Sequence, residues 1–312
     1  MTARPGWMRL ARAIYLIALA VLLGWVLVTN RSQLAELLRV DHPWLLGLAL
    51  VTSFGQLALS ASFWVRALAA MGQPCRWWTV LDVTARSIPA RYVPGSVWYT
   101  ASRAGMLRSN GVGLRALGIT ALLESVLTVI VSLSVGAVLL GLAGRLPGDR
   151  LASVAWTLVL AVLVSPPVLN RVLSWVSRRR GMTGGAPELS WSDYRALVVW
   201  MVVFWLLSAV TFTLYLLAFD LDLPGPLVIA GVFLVAWAIG FLTPIAPQGA
   251  GAFELVFMTL LIGTASGALA VVVAAFRALI GVRDAVAFAW GAWQGRAQVS
   301  APDGDPAPPA HR

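Results

Sequence analysis

Residues 116–142 form an apolar run in which Glu124 is the only ionisable side chain. A helix needs about 20 such residues to cross a bilayer, and a helix satisfies its own backbone polar groups in lipid. The whole chain is 59% hydrophobic and only 12% charged, whereas soluble domains contain about 25% charged residues. The sequence therefore predicts an all-α polytopic membrane protein.

Similar apolar runs recur along the chain and define its predicted organisation. Full-length crossings are predicted at 14–29, 44–64, 116–142, 151–169, 196–218, 226–243 and 268–290. A shorter apolar piece at 252–262 either crosses the membrane or re-enters it, which gives about 7–8 transmembrane helices. We expect one transmembrane domain over residues 1–295 and a disordered cytoplasmic tail over residues 296–312, which is rich in proline.

The distribution of basic residues predicts the orientation. Every one of the 23 basic residues is an arginine. Most of them lie in connections that share one side if the N-terminus is cytoplasmic and the short piece at 252–262 counts as a crossing, which makes eight. Basic residues favour the cytoplasmic side of bacterial membrane proteins. The sequence thus predicts a multi-pass protein of the cytoplasmic (inner) membrane with both termini in the cytoplasm.

The segment 77–112 is too apolar for an ordinary loop and too interrupted for a straight span. Pro89 and Pro94 remove backbone donors, and Pro94-Gly95-Ser96 indicates a break followed by a new helix. Non-helical backbone at membrane depth is tolerated only beside protein or a wet cavity, and a helix N-terminus with nearby arginines suits a phosphate. The alternative is an interfacial amphipathic helix with snorkelling arginines. The candidate substrate-binding residues here are Arg91, Tyr92, Pro94, Gly95, Ser96, Trp98, Tyr99 and Arg103.

A second break, over residues 244–262, repeats this design. Pro247, Gly249 and Gly251 precede a short apolar helix that carries Glu254 in its first turns. Paired Gly/Pro-interrupted hydrophobic segments in the two halves of a chain indicate a transporter's binding site. We therefore favour a substrate path over the alternative of an ordinary proline-containing connection, and add Pro247, Gly249 and Gly251 to the candidate site.

Charged residues inside the predicted spans form the third line of argument. Such charges are costly in lipid and face partners or a wet cavity. Arg277 is expected to pair with Glu124 or Glu254 and to assist substrate binding, and the two glutamates are candidates for charge pairing or proton coupling. A purely structural ion pair that fixes helix register is the alternative. Arg283 and Asp284 either belong to the same polar interior or mark the cytoplasmic edge of the last span.

Three motifs carry a family resemblance: "ARYVPGSVWYTASRAG", the glutamate of "LLESVL", and "GFLTPIAPQGAGAFE". In this order they resemble the lysylphosphatidylglycerol synthase transmembrane region, also described as flippase-like, over most of the chain. The resemblance implies movement of aminoacylated phosphatidylglycerol between leaflets, and other relatives accompany polyprenyl-linked glycan assembly. In the larger synthases a separate soluble domain makes the lipid. This sequence ends some twenty residues after its last predicted span, so we expect no synthase activity.

The residues that are absent narrow the function further. The chain contains no lysine and therefore no Walker-type ATP-binding loop, and its single cysteine and two histidines provide no metal cluster. We expect no cofactor, no metal, no enzymatic activity and no nucleic-acid partner. The predicted function is translocation of an anionic phospholipid or polyprenyl-phosphate-linked headgroup across the membrane. The alternative is a non-catalytic membrane partner of a separately encoded lipid-modifying enzyme or glycosyltransferase.

Overall fold

The computed structural model describes residues 40–93, 97–145, 189–243, 249–261 and 267–300, and isolated positions between 165 and 175. Within these ranges the chain forms helices, and the prediction of an all-α membrane protein is confirmed. A 3₁₀-helix, Ile88–Tyr92, follows the second α-helix directly. The α-helices are α1 Pro43–Ala70, α2 Trp77–Ser87, α3 Val97–Ser109, α4 Leu114–Leu142, α5 Trp191–Leu216, α6 Pro226–Leu242, α7 Ala252–Leu260 and α8 Gly267–Ser300.

Three of these helices, α1, α4 and α5, are long and apolar enough to cross a membrane by length and composition. Helix α1 is six residues longer at its C-terminal end than the predicted crossing at 44–64, and α5 begins five residues before the predicted start at 196. The crossings predicted at 14–29 and, for most of its length, 151–169 lie outside the described residues, as do Pro94, Gly95, Ser96 and Pro247.

Helix α8 is longer than the predicted crossing at 268–290. It continues to Ser300 and so extends past the domain boundary that we placed at residue 295.

The two ends of the bundle are defined by contacts between loops. At one end, the residues before α1 meet the residues after α5, because Val40 pairs with Phe219 and His42 N–H donates to the carbonyl of Ala218 at 3.1 Å. We call this the Phe219 end. At the other end, Gly113 N–H donates to Gln73 Oε1 at 3.2 Å. We call this the Gln73 end, and α1 runs from the Phe219 end to it.

Close packing of α4 on α6 depends on two glycines. A Cβ atom added to Gly136 would lie 2.9 Å from Val235 Cγ2, and one added to Gly231 would lie 2.7 Å from Leu140 Cγ. Small residues allow helix backbones to approach closely in membranes, where packing rather than the hydrophobic effect drives association.

Replacing Gly136 with valine is expected to destabilise the bundle by about 1–3 kcal/mol, since the added methyl groups have no space between α4 and α6. Thermal unfolding of the purified protein in detergent measures the effect. Gly118 lies on the same helix with nothing within 4 Å of an added Cβ, so Gly118→Val is the matched control. Equal melting temperatures for the two variants would contradict the packing argument.

Candidate functional site

The segment that contains the first break forms a hairpin, which we call the first hairpin (α2, the 3₁₀-helix and α3). Its two ends meet at the Gln73 end, through the bond from Gly113 N–H to Gln73 Oε1. Its tip reaches α8, where the Tyr92 hydroxyl donates to Asp284 Oδ2 at 3.0 Å. The α-helix ends at Ser87, just before Pro89, as expected for a residue that cannot donate a backbone hydrogen bond. The segment thus enters the bundle and returns to the same end.

The described residues on either side of the second break form a comparable hairpin, the second hairpin (α6 and α7). It enters from the Phe219 end, and α7 folds back on α6, because a Cβ atom on Gly240 would lie 3.2 Å from Phe253 Cβ. At Gly249, φ is +66° and a Cβ atom would overlap the carbonyl group of Gly240. Gly251 has φ +86°. Glycine is therefore required at Gly249 for space as well as for backbone conformation.

The first hairpin carries a buried arginine, Arg103, which is fully enclosed. Its Nη1 donates to Glu124 Oε1 at 3.0 Å and its Nη2 donates to Ser60 Oγ at 3.2 Å. The guanidinium carbon lies 4.8 Å from the ring centroid of Trp64 and 4.5 Å from that of Tyr99. Carboxylate, hydroxyl and two aromatic rings together compensate the charge, as a buried guanidinium requires.

Glu124 also faces a small cleft between three helices. The cleft is walled by apolar and aromatic side chains of α1, α4 and α5, and the Glu124 side chain is 17% exposed there. Arg103, which donates to this carboxylate, is itself fully buried. Glu124 is therefore the point at which the buried pair meets the surroundings of the bundle. The residues that line the cleft are Leu59, Ser60, Phe63, Glu124, Thr128, Trp200, Met201 and Phe204.

A second buried pair lies on α8. Arg283 and Asp284 are each only 2% exposed. The Arg283 side chain donates to Asp284 Oδ1 from Nε at 2.9 Å and from Nη2 at 2.6 Å, and its Nη1 donates to Gln56 Oε1 at 2.9 Å. Gln56 Nε2 in turn donates to Thr211 Oγ1 at 3.2 Å. Polar side chains of α1, α5 and α8 thus hold this pair inside the bundle.

Arg91 lies at the tip of the first hairpin, between the two buried pairs. Its guanidinium carbon is 4.4 Å from the ring centroid of Tyr99, the same ring that Arg103 contacts. Its distance to Asp284 Oδ2 is 3.5 Å, which is long for a charge-assisted hydrogen bond, and its side chain is 22% exposed. Arg91 is thus less completely paired than Arg103 or Arg283.

The second hairpin contributes a separate ion pair. Arg277 Nε donates to Glu254 Oε1 at 2.7 Å, and Gly251 N–H donates to Glu254 Oε2 at 2.7 Å. The glutamate caps the first turn of α7 while it holds the arginine of α8. Arg277 therefore pairs with Glu254, which was one of the two partners that the sequence predicted. The side chains are 35% and 19% exposed, so this pair is more open than the other two.

The structure brings most of the predicted site residues into two groups along one helix. Arg91, Tyr92, Tyr99, Arg103 and Glu124 lie around the first hairpin, whereas Gly249, Gly251, Glu254 and Arg277 lie around the second. Arg277 and Asp284, seven residues apart on α8, connect to the two hairpins. Trp98 is 45% exposed and belongs to neither cluster among the contacts of the described residues.

One of the two interpretations of Arg283 and Asp284 is wrong. They do not mark an aqueous edge, because both are buried and bonded to α1 and to the hairpin tip. Three further polar residues were not among the predicted site residues. Gln56 accepts a hydrogen bond from Arg283 and donates one to Thr211, and Ser60 accepts one from Arg103. A polar residue in the middle of an apolar run was the available signal, since such residues turn toward polar neighbours inside the bundle.

Within the described ranges, no three histidine, cysteine, aspartate or glutamate side chains lie close enough to hold a metal ion. The chemistry of the two clusters is that of guanidinium groups, carboxylates and phenols, which suits an anion rather than a metal. No match was found among curated proteins. A sequence model of the lysylphosphatidylglycerol synthase TM region, however, matches residues 13–282. The chain therefore belongs to the lysylphosphatidylglycerol synthase TM region family.

Proposed function

We propose that the protein moves an anionic lipid headgroup, of a phospholipid or a polyprenyl-phosphate-linked lipid, across the cytoplasmic membrane. The observation that carries the proposal is the incomplete pairing of Arg91. The linked ion pairs of the first hairpin and of α8 contain three arginines, Arg91, Arg103 and Arg283, and two carboxylates, Glu124 and Asp284. A surplus cation inside a membrane protein is costly, and a bound phosphate would compensate it with the bidentate geometry that guanidinium favours.

The two hairpins support a path rather than a static site. They enter from opposite ends and meet α8 at Arg277 and Asp284. In transporters, discontinuous segments of this kind bind substrate near the bilayer centre at the interface between repeats. The headgroup would move past α8 between the two hairpins while its tails stay in lipid, with Arg91 and Tyr92 as first ligands. Arg103 and Arg277, held by Glu124 and Glu254, would follow.

The carboxylates supply a means of control. Protonation of Glu124 or Glu254 would release its arginine for the phosphate, so a proton gradient could drive exchange.

We further propose that the protein acts as a transporter without enzymatic activity. The described residues at the Gln73 end include the exposed arginines Arg66, Arg76 and Arg108, and the positive-inside rule assigns that end to the cytoplasm.

Replacing Arg91 with glutamine is expected to slow transport of a labelled phosphatidylglycerol between leaflets of reconstituted vesicles by at least about tenfold, the effect of losing about 1.4 kcal/mol of headgroup stabilisation. Fluorescent lipid quenching by dithionite measures the rate. Arg108 lies on the exposed surface of α3, so Arg108→Gln is a control with the same loss of charge. Labelled phosphatidylcholine, which has no net charge, should move slowly in both variants.

The same assay can overturn the proposal. Wild-type protein that moves neither phosphatidylglycerol nor a polyprenyl-phosphate sugar faster than empty vesicles would favour the partner-subunit function instead. Co-purification with a separately encoded envelope enzyme from native membranes would then identify that partner. Equal rates for the Arg91→Gln and Arg108→Gln variants, with transport intact, would retain the transport function and exclude Arg91 as a headgroup ligand.

A further inference from the structure

The two oxygens of Asp284 have different partners. Oδ1 accepts two hydrogen bonds from Arg283, at 2.9 Å and 2.6 Å. Oδ2 faces the first hairpin, where it accepts from the Tyr92 hydroxyl at 3.0 Å and lies 3.5 Å from Arg91 Nη1. One oxygen thus holds a neighbour on the same helix, and the other holds the tip of a different segment.

Because the two oxygens of Asp284 have separate partners, the contact between Oδ2 and the hairpin tip can be broken while Oδ1 keeps its hydrogen bonds from Arg283. Arg283 is itself fixed by Gln56 and is fully buried beside Asp284. The charge of Asp284 therefore stays compensated when the hairpin tip moves away. Tyr92 is 42% exposed and the Arg91 side chain is 22% exposed, so both are accessible to a second anion. Arg103 differs because it is fully buried and Glu124 is its counter-ion.

We propose that Asp284 Oδ2 occupies the position that an anionic oxygen of the substrate takes, and so latches the empty transporter. A phosphodiester displaces this oxygen from Arg91 and Tyr92, which releases the tip of the first hairpin from α8. The exchange replaces one anionic oxygen by another at Arg91 and leaves no buried charge without a partner. The inference rests on the proposed function and identifies a phosphodiester monoanion as the ligand.

The first test measures binding of short-chain phosphatidylglycerol to the purified protein in detergent. The variant Asp284→Asn keeps an oxygen for Arg283 and loses the anionic oxygen that faces Arg91. If the latch leaves about a tenth of the sites open, Asp284→Asn should bind phosphatidylglycerol about tenfold more tightly than the wild type, since apparent affinity scales with the competent fraction. Short-chain phosphatidylcholine should show no such gain.

The second test does not depend on Asp284, and it decides the matter if that variant fails to fold. A Cβ atom on Gly281 would have the Tyr92 hydroxyl as its nearest neighbour, at 4.0 Å. In a Cys75→Ala background, the thiol of a Gly281→Cys variant should react slowly with a maleimide while the tip covers it. Phosphatidylglycerol should raise the labelling rate about threefold or more, as the latched fraction falls, and phosphatidylcholine should not.

The outcomes separate this inference from the proposed function. If the wild type binds no anionic lipid, both are overturned. If the wild type binds and transports phosphatidylglycerol, but labelling of the Gly281→Cys variant does not respond and Asp284→Asn binds no more tightly, the latch alone is overturned. Tighter binding by Asp284→Asn, or labelling that rises with phosphatidylglycerol, supports it.

Discussion

Replacing Glu124 with alanine lowers the expected free energy of unfolding by about 3–5 kcal/mol, because the substitution strands a buried charge. Arg103 is fully enclosed, and Glu124 is its paired carboxylate at 3.0 Å. Without it, the guanidinium retains the Ser60 hydroxyl and the rings of Trp64 and Tyr99, none of which carries a negative charge. Thermal or denaturant unfolding in a fixed detergent measures the loss.

Two further variants show whether the loss comes from the pair. Asp222 is exposed in the loop between α5 and α6, so Asp222→Ala removes a carboxylate at little cost and serves as the control. The double variant Glu124→Leu with Arg103→Met removes both charges and keeps similar volume, which is often neutral for stability. It should recover most of the stability lost in Glu124→Ala but lose transport. A double variant as unstable as the single one would contradict this reading of the pair.

The helical membrane class could be predicted because it depends on local properties, and so could the interruptions of α-helix that the described residues show at Ile88–Tyr92 and at Gly249 and Gly251. Apolar length sets the minimum for a crossing, and proline and glycine interrupt helices wherever they stand. The end of α2 at Ser87 and the left-handed backbone at Gly249 and Gly251 follow from those residue types. The pairing of Arg277 with Glu254 could also be predicted, because few other charged residues occur in the neighbouring spans.

The surroundings of Arg283 and Asp284 could not be predicted in this way. Asp284 accepts a hydrogen bond from Tyr92, which lies 192 residues away in the sequence. The contact exists because the first hairpin extends far enough into the bundle, and no local sequence pattern specifies how far it extends. Charges near the end of an apolar run are typical of a membrane edge, and the same local sequence is compatible with a buried pair. The partner helices decide between the two, because Gln56 and the hairpin tip supply the hydrogen bonds that make burial possible.

The sequence also could not predict from which end of the bundle each hairpin enters. Two interrupted segments indicated a paired design. Whether each crosses or returns, however, depends on contacts such as those of Gln73 with Gly113 and of Gly240 with Phe253. These contacts join residues 40 apart in the first case and form only when neighbouring helices hold the segment. Predicting them requires the packing of the whole bundle.

Replacing Arg283 with methionine is expected to cost about 3–5 kcal/mol of unfolding free energy, because it leaves Asp284 as a buried carboxylate with weak compensation. Its remaining contacts are the Tyr92 hydroxyl at 3.0 Å and Arg91 at 3.5 Å. The side-chain oxygen of Gln56, Oε1, would also lose its hydrogen bond from Arg283. Methionine keeps much of the side-chain length, so the loss reflects charge and hydrogen bonding rather than a cavity. Unfolding in detergent measures it.

Arg277→Met on the same helix is the matched control. Its pair with Glu254 is 35% and 19% exposed, and Glu254 keeps the hydrogen bond from Gly251 N–H when the arginine is removed. Arg283→Met should therefore be more destabilising than Arg277→Met, although both remove one arginine from one salt bridge on α8. Adding Asp284→Asn to Arg283→Met should recover part of the loss, since the stranded carboxylate is then neutral. Equal destabilisation by the two arginine substitutions would show that burial at the hairpin tip does not set the strength of these pairs.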